Sequence, residues 1–208
     1  SAATPAQAVA TNTTFRFASN TKNFTATAVL LLQQMGLLQI TNRIVDLMPG
    51  AAEPYLPAGT NWAIPNKDSI TIVQLLRHSA GVYDVDNELV PGCSNDSYTS
   101  WMLAQDPAHQ FTQEELAGQA ARYQLSYFAP DQGYHYSNTG YSLLAEIVAR
   151  VYSRHMGTAK TLSDFLYEQV GVEPAIRFPN QAADTGLPEP YSPGTQYYPS
   201  NVAVVTSN

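Results

Sequence analysis

Residues 139–154 constrain the fold of this chain more than any other stretch of its sequence. Apolar side chains recur there three and four residues apart, which is the spacing of one helix face. Such a stripe has to be buried, so the segment predicts an amphipathic helix within a packed core. The 208 residues, 44% of them hydrophobic, suffice for one domain or a tight pair and exclude a disordered or collagen-like chain. The stripe consists of Leu143, Leu144, Ile147, Val148 and Val151.

Helix start signals occur at several other places in the chain. Three stretches have the capping-box pattern, in which a threonine is followed three residues later by Gln, Glu or Asp; they begin at Thr71, Thr112 and Thr161. The first of these helices is expected to end at Gly81. Apolar spacing predicts a further helix over residues 20–34, a short one near residues 100–103 and an amphipathic piece over residues 37–47. We expect about six helices and almost no strand.

Charge and apolar content exclude several classes of function. Ten basic against 17 acidic side chains give a formal net charge of −7, which argues against a nucleic-acid partner because phosphate contacts need clustered Lys and Arg. The longest apolar run, residues 28–32, is far shorter than the ~20 residues that cross a bilayer, so no membrane span is expected. Cys93 is the single cysteine, which excludes an internal disulfide and a cysteine metal site.

Ser19 and Lys22 form the first candidate catalytic group. Residues three apart share a helix face, so a helix beginning near Ser19 brings the hydroxyl and the amine close together. The positive end of the helix dipole disfavours the ammonium form of the lysine, and a neutral lysine can accept the serine proton. Backbone N–H groups at the same helix end can bind an oxyanion. A capped, solvent-facing helix start has the same pattern, so the spacing alone leaves both interpretations open.

Tyr136 and Asn138 form the second candidate group, at the start of the predicted helix over residues 139–154. A phenol near a lysine ammonium ionises more easily and can act as general base and acid in acyl transfer. In an extended segment Asn138 points to the same side as Tyr136, where its amide can bind a substrate carbonyl or hold the lysine. The alternative interpretation is a buried tyrosine followed by an asparagine that caps the helix.

Three segments, in this order, resemble the motifs of serine β-lactamases and penicillin-binding D-alanyl-D-alanine carboxypeptidases, above all the class C β-lactamase-like and esterase branch. They are residues 15–26 (FRFASNTKNFTA), 70–81 (ITIVQLLRHSAG) and 136–141 (YSNTGY). The resemblance implies an α+β fold of the β-lactamase/DD-peptidase type, of which this chain carries mainly the helical region with little of the sheet.

The resemblance also implies roles for individual residues. Ser19 is expected to be the acylated nucleophile, with its backbone N–H as one oxyanion donor, and Lys22 and Tyr136 are expected to transfer protons. Asn138 is expected to orient the substrate, and His78 to be structural. The expected activity is a serine hydrolase or acyltransferase acting on D-alanyl peptides, β-lactams or small esters and amides. No metal or organic cofactor is expected, because the lysine and the tyrosine supply the proton transfers.

The chain departs from the family pattern at both ends. No convincing third motif, a Lys or His followed by Thr or Ser and then Gly, occurs in the 70 residues after Asn138, and only 18 residues precede Ser19. The 117 residues between Ser19 and Tyr136 look long for this branch, and the excess is expected within residues 82–132, around the cleft.

These differences from the family pattern predict how the chain is organised into regions. It comprises an extended lead-in over residues 1–14, a helical region with both motifs over residues 15–175, and a loop-rich segment over residues 176–208 that leads towards a missing sheet. A missing segment or a second chain is expected to supply that sheet, unless the chain is a degenerate relative of the family. The alternative is a non-catalytic fragment or binding module that retains the pocket. The low charged fraction of 13% and the three lysines fit a secreted or periplasmic protein whose signal peptide has been removed.

Overall fold

A computed structural model describes residues 18–107, 109–172, 176 and 178 of the chain. Within these residues the regular structure is helical, and pairing of the strand type is limited to three isolated antiparallel bridges. Short 3₁₀ turns cover Ala18–Asn20, Thr60–Trp62 and Lys67–Ser69, and a π-helical turn covers Leu166–Val170. The α-helices of the described part are α1 (Thr21–Gln34), α2 (Ile72–Leu76), α3 (Tyr98–Gln105), α4 (Gln113–Arg122), α5 (Asn138–Met156) and α6 (Leu162–Phe165).

Helix α5 lies at the centre of the core. It packs against α1, α2, α4 and α6. The helix predicted over residues 139–154 is confirmed, and its apolar stripe is the buried face: Leu144, Ile147 and Val148 have no exposed surface. Burial of side chains of this size stabilises the fold by about 1.5–3 kcal/mol each. The first residue of α5 therefore belongs to a helix whose apolar face is buried in the core.

Two of the three predicted capping boxes are complete, and at Thr71 only the bond from the Thr71 N–H to Gln74 Oε1, at 2.8 Å, is made. Thr112 Oγ1 accepts a hydrogen bond from the Glu115 N–H at 3.1 Å, and Glu115 Oε2 accepts one from the Thr112 N–H at 3.4 Å. Thr161 and Asp164 exchange the same two bonds at the start of α6. Helix α2, which begins after Thr71, ends at Leu76 and not near Gly81 as predicted. It ends early because His78 adopts a left-handed backbone conformation, with φ of +57°.

Residues 37–47 do not form a helix, although their sequence is amphipathic. Their backbone groups bind distant parts of the chain: the Ile44 N–H donates to the Ile70 carbonyl at 2.9 Å, and the Ile40 carbonyl accepts from the Val73 N–H at 2.8 Å. Because these groups are already bonded, the i to i−4 ladder of a helix cannot form. The apolar residues Leu38 and Ile44 are still fully buried.

The segment after α2 runs across the start of α5. Gly81 makes this path possible, since it has a φ of +71° and a Cβ at this residue would lie 1.9 Å from the Phe128 carbonyl oxygen. Only glycine fits so close a backbone approach. Four residues later, the Val85 N–H donates to Thr139 Oγ1 at 3.0 Å. This path places residues 82–87 beside the first turn of α5.

Two parts of the predicted organisation lie outside the described residues. They are the extended lead-in over residues 1–14 and nearly all of the segment over residues 176–208, including the strand-like residues 202–205. Both stay predictions. None of the helices in the described ranges combines the length and the apolar character needed to cross a membrane.

Candidate active site

Ser19 lies in the 3₁₀ turn that leads directly into α1. The residue is exposed, whereas Lys22, on the first turn of α1, is only 7% exposed. The preceding Ala18 has a φ of +43°, a conformation that residues with a Cβ rarely adopt. Its carbonyl accepts a hydrogen bond from Thr21 Oγ1 at 2.7 Å, which helps to hold the turn. The local backbone thus presents the serine hydroxyl at the mouth of the site and keeps the lysine inside.

Tyr136 lies next to Ser19 in the folded chain. Its phenolic oxygen lies 2.7 Å from Ser19 Oγ, although 117 residues separate the two in sequence. The Lys22 ammonium lies 4.8 Å from the centroid of the Tyr136 ring and 5.5 Å from that of Tyr141. The structure therefore brings the hydroxyl, the phenol and the ammonium into one group. A cation against an aromatic face in a desolvated place is favourable and limits where each can move.

Asn138 is the first residue of α5, and it joins Lys22 to an acidic residue. Its Oδ1 accepts a hydrogen bond from Lys22 Nζ at 2.6 Å, and its Nδ2 donates to Asp84 Oδ2 at 3.3 Å. The asparagine does not cap the helix, because Ser137 Oγ accepts from the Gly140 N–H at 2.9 Å and fills that role. The sequence predicted that the Asn138 amide binds a substrate carbonyl or holds the lysine. Its oxygen makes the contact that holding the lysine requires.

His78 packs behind the site as a neutral ring. Its ring centroid lies 4.6 Å from that of Tyr136 and 5.0 Å from that of Tyr141. Its Nδ1 accepts a hydrogen bond from the Ser137 N–H at 3.1 Å, so the ring braces the turn between Tyr136 and Asn138. Burial, helped by the Lys22 ammonium, lowers the pKa of His78 to about 4. A proton on Nδ1 would also remove the acceptor that this turn uses.

Two acidic residues in the site were not predicted from the sequence. Asp84 is 1% exposed, and its carboxylate accepts hydrogen bonds from the Asp86 N–H at 3.1 Å, Asn87 Nδ2 at 2.8 Å and Asn138. The carboxyl oxygens of Asp86 are also shielded from solvent, and in the described structure neither has a hydrogen-bond partner. Burial and then the Asp84 charge raise the pKa of Asp86 to about 7, against the opposing effect of Lys22.

Little in the sequence could have signalled these two carboxyl groups. They alternate with valine in the stretch Val82-Tyr83-Asp84-Val85-Asp86, a pattern that favours acidic side chains on a solvent-facing side. The structure buries them because that stretch crosses α5. In the described part of the chain, no three His, Cys, Asp or Glu side chains cluster closely enough to hold a metal ion.

The chain is similar to known proteins both in sequence and in structure. The family model described as Beta-lactamase matches residues 1–172. Penicillin-binding protein 4* of Bacillus subtilis (strain 168) is 31% identical over 142 residues, which are 67% of this chain and 26% of that protein.

Two solved structures resemble this chain in their fold. The D-stereospecific amidohydrolase from a Streptomyces species superposes with a TM-score of 0.56 at 21% identity, over 75% of this chain and 41% of that one. The penicillin-binding protein from Bacillus halodurans superposes with a TM-score of 0.51 at 25% identity, over 74% of this chain and 37% of that one. The chain therefore spans less than half the length of each of these relatives.

Proposed function

Because this chain belongs to the Beta-lactamase family and has the β-lactamase/DD-peptidase fold, mainly its helical region, we propose that it is a serine hydrolase or acyltransferase with Ser19 as nucleophile. One observation carries the proposal. The Tyr136 oxygen lies 2.7 Å from Ser19 Oγ, beside the buried Lys22 ammonium. A nucleophile within hydrogen-bond reach of a base, with that base held by a third group, is the arrangement that nucleophilic catalysis requires.

In the proposed first step, Ser19 Oγ attacks the carbonyl carbon of an amide or ester. Tyr136, in its phenolate form, accepts the hydroxyl proton, and the ammonium of Lys22 stabilises that phenolate by charge. The Oγ–C bond forms, and the negative charge passes to the carbonyl oxygen. As this tetrahedral intermediate collapses, the C–N or C–O bond breaks and Tyr136 returns the proton to the leaving amine or alcohol. The product of this step is an acyl ester on Ser19.

In the second step, water or an amine acceptor attacks the acyl ester. Tyr136 accepts a proton from the acceptor, and the proton then returns to Ser19 Oγ as the acyl group leaves. The Ser19 backbone N–H is one proposed oxyanion donor, because it lies at the N-terminal end of α1. We expect the second donor to come from outside the described residues.

Amides, and esters of similar shape, are the proposed substrates. The relatives include penicillin-binding proteins and a D-stereospecific amidohydrolase, which favours D-alanyl peptides, D-amino-acid amides and β-lactams as acyl donors for this chain. A non-catalytic binding module is the second candidate. It would keep the contacts among Ser19, Lys22 and Tyr136 but would form no acyl ester.

Covalent labelling separates the two candidates. We expect a fluorescent penicillin or a fluorophosphonate to add to Ser19, with the adduct located by peptide mass spectrometry. Ser19→Ala should abolish labelling. Ser69→Ala is the matched control, since Ser69 is also an exposed serine in a 3₁₀ turn. If the protein is purified together with any segment or chain that completes its sheet and neither probe labels it, the binding module is supported. Labelling that persists in Ser19→Ala would refute the assignment of the nucleophile.

We also propose that the protein acts outside the cytoplasm and that a further segment or a second chain completes its sheet. The proposal is supported by the low content of charged residues, 13%, and by the share of its relatives that the chain covers. The intact mass of the native protein tests the second part. A mass well above 22.7 kDa, or a second chain that co-purifies, is expected.

A further inference from the structure

We propose that Asp84 is a positioning residue for this reaction: it holds the side-chain amide of Asn138 in the orientation that presents Oδ1 to the catalytic lysine. The inference rests on the proposed function, because it assigns Asp84 an effect on Lys22 through Asn138. In the described structure Asp84 makes no hydrogen bond with Ser19 or Tyr136, so its effect on them is indirect, through Asn138 and Lys22.

The argument begins with the shape of an asparagine amide. Its oxygen and its NH₂ group have nearly the same size, so partners and not packing decide which way the amide faces. Lys22 Nζ only donates hydrogen bonds, and a carboxylate only accepts them. With Lys22 at 2.6 Å from Oδ1 and Asp84 at 3.3 Å from Nδ2, only one orientation of Asn138 satisfies both partners.

Asp84 is itself held by the backbone around it. Its own N–H donates to the phenolic oxygen of Tyr127 at 3.1 Å, and the next residue, Val85, donates its N–H to Thr139 Oγ1 at 3.0 Å. Thr139 directly follows Asn138 in α5. The spacing between the carboxylate and the amide is therefore set by two bonded backbone segments, which is the rigid support that a catalytic geometry needs.

The surroundings of the two carboxyl groups indicate which one serves this role. Three N–H donors bond to the Asp84 carboxyl oxygens and fix the position of that group. Asp86 has no such donor in the described structure, and burial disfavours its charge. The hydrogen-bonded carboxylate is the one in contact with Asn138. Removing it would leave a buried NH₂ group without an acceptor, which is unfavourable unless the amide moves.

A double-mutant cycle tests whether Asp84 acts through Asn138. The rate of Ser19 acylation by a fluorescent penicillin is measured for the wild type, Asp84→Ala, Asn138→Ala and the double variant. We expect each single substitution to slow acylation by about 10²-fold, the loss typical of a misplaced catalytic group, and the double variant to be no slower than Asn138→Ala. Losses that multiply would overturn the inference. Asp68→Ala, at an exposed carboxylate, is the control and should leave the rate unchanged.

A second measurement does not depend on activity. The side-chain NH₂ signals of Asn138 are assigned in an ¹⁵N spectrum by their loss in Asn138→Ala. In Asp84→Ala we expect these signals to shift and their protons to exchange faster with water, whereas in Asp68→Ala they should stay near their original positions. Where the alanine variant does not fold, Asp84→Asn replaces it, with the same shape but no charge.

The two measurements distinguish failure of this inference from failure of the proposed function. Unchanged Asn138 signals in a folded Asp84 variant would overturn the inference, whatever the labelling shows. Shifted signals in a protein that no probe acylates would support the contact with Asn138 and refute the hydrolase assignment. Partial recovery of the acylation rate in Asp84→Asn relative to Asp84→Ala is expected, because an amide oxygen can still accept one hydrogen bond.

Discussion

Replacing Asp86 with asparagine should change how the stability of this protein depends on pH. The folded structure buries the carboxyl group without a hydrogen-bond partner among the described residues, and its pKa rises from an ordinary value of 3.8 to about 7. Burial is the main cause, and the neighbouring Asp84 charge adds to it. Asparagine has nearly the same shape but carries no titrating group, so the substitution removes the ionisation and leaves the packing almost intact.

The sign of the effect follows from proton binding. Between pH 4 and pH 7 the folded protein keeps the Asp86 proton while the unfolded chain has lost it, so the folded state binds more protons and stability falls as the pH rises. Each pKa unit corresponds to about 1.4 kcal/mol, and a shift of about three units amounts to a loss of about 4 kcal/mol by pH 8. Above pH 7 both states are ionised, so this group adds no further pH dependence.

Urea unfolding at pH 4.5, 6 and 8 measures this effect. The buried asparagine amide adds a cost of about 1–3 kcal/mol that does not depend on pH, so the quantity compared is the difference between variant and wild type at each pH. We expect this difference to move by about 3–4 kcal/mol in favour of Asp86→Asn from pH 4.5 to pH 8. Asp68→Asn, at an exposed carboxylate, is the control and should stay within about 0.5 kcal/mol.

Parallel stability curves for the wild type and Asp86→Asn would refute the reasoning. They would mean that the carboxyl group ionises in the folded protein as easily as in the unfolded chain, and therefore that it is solvated or paired. A difference that moved in the opposite direction would mean that the folded structure stabilises its charge.

Further predictions concern the site, the core and one turn. Tyr136→Phe should slow acylation of Ser19 by about 10²–10⁴-fold, because it removes the oxygen next to the nucleophile. Tyr134→Phe is the control, since Tyr134 is 69% exposed, and it should leave the rate unchanged. Leu144→Ala should lower the free energy of unfolding by about 2–5 kcal/mol, and a loss below 1 kcal/mol in urea unfolding would contradict the central place of α5 in the core. Gly81→Ala should prevent folding or displace the segment after α2, because its Cβ would overlap a backbone carbonyl. Gly36→Ala is the control: nothing lies near its Cβ, so it should lower the free energy of unfolding by only about 1 kcal/mol. Circular dichroism and thermal melting compare the two variants.

Helices were predictable wherever a local signal defines them. The helix expected over residues 20–34 is found as Thr21–Gln34, and the one expected over residues 139–154 is found as Asn138–Met156. Both predictions depend on contacts between residues three or four apart, which the sequence displays directly. Residues 37–47 have a similar pattern but bind distant backbone groups, so their local preference is overridden.

The family and the fold, predicted from three short motifs, are confirmed by the family match and by the solved structures. The roles of Ser19, Lys22, Tyr136 and Asn138 are proposals, which the contacts among these residues support. The sequence displays these residue types and their order directly, because each motif is a short continuous segment. The distances between the residues could not be read from it, because the motifs lie far apart along the chain.

The order of amino acids was enough to establish where most of the helices begin, which segments resemble a known family, and which side chains carry reactive groups. The folded chain alone shows that Tyr136 reaches Ser19 and that Asp84 lies behind Asn138, 54 residues away in sequence. The physical reason is that helix signals and site contacts act over different distances along the chain. Helix signals act within one or two turns, whereas a site depends on packing between segments whose approach is set by the whole core and by close passages such as that at Gly81.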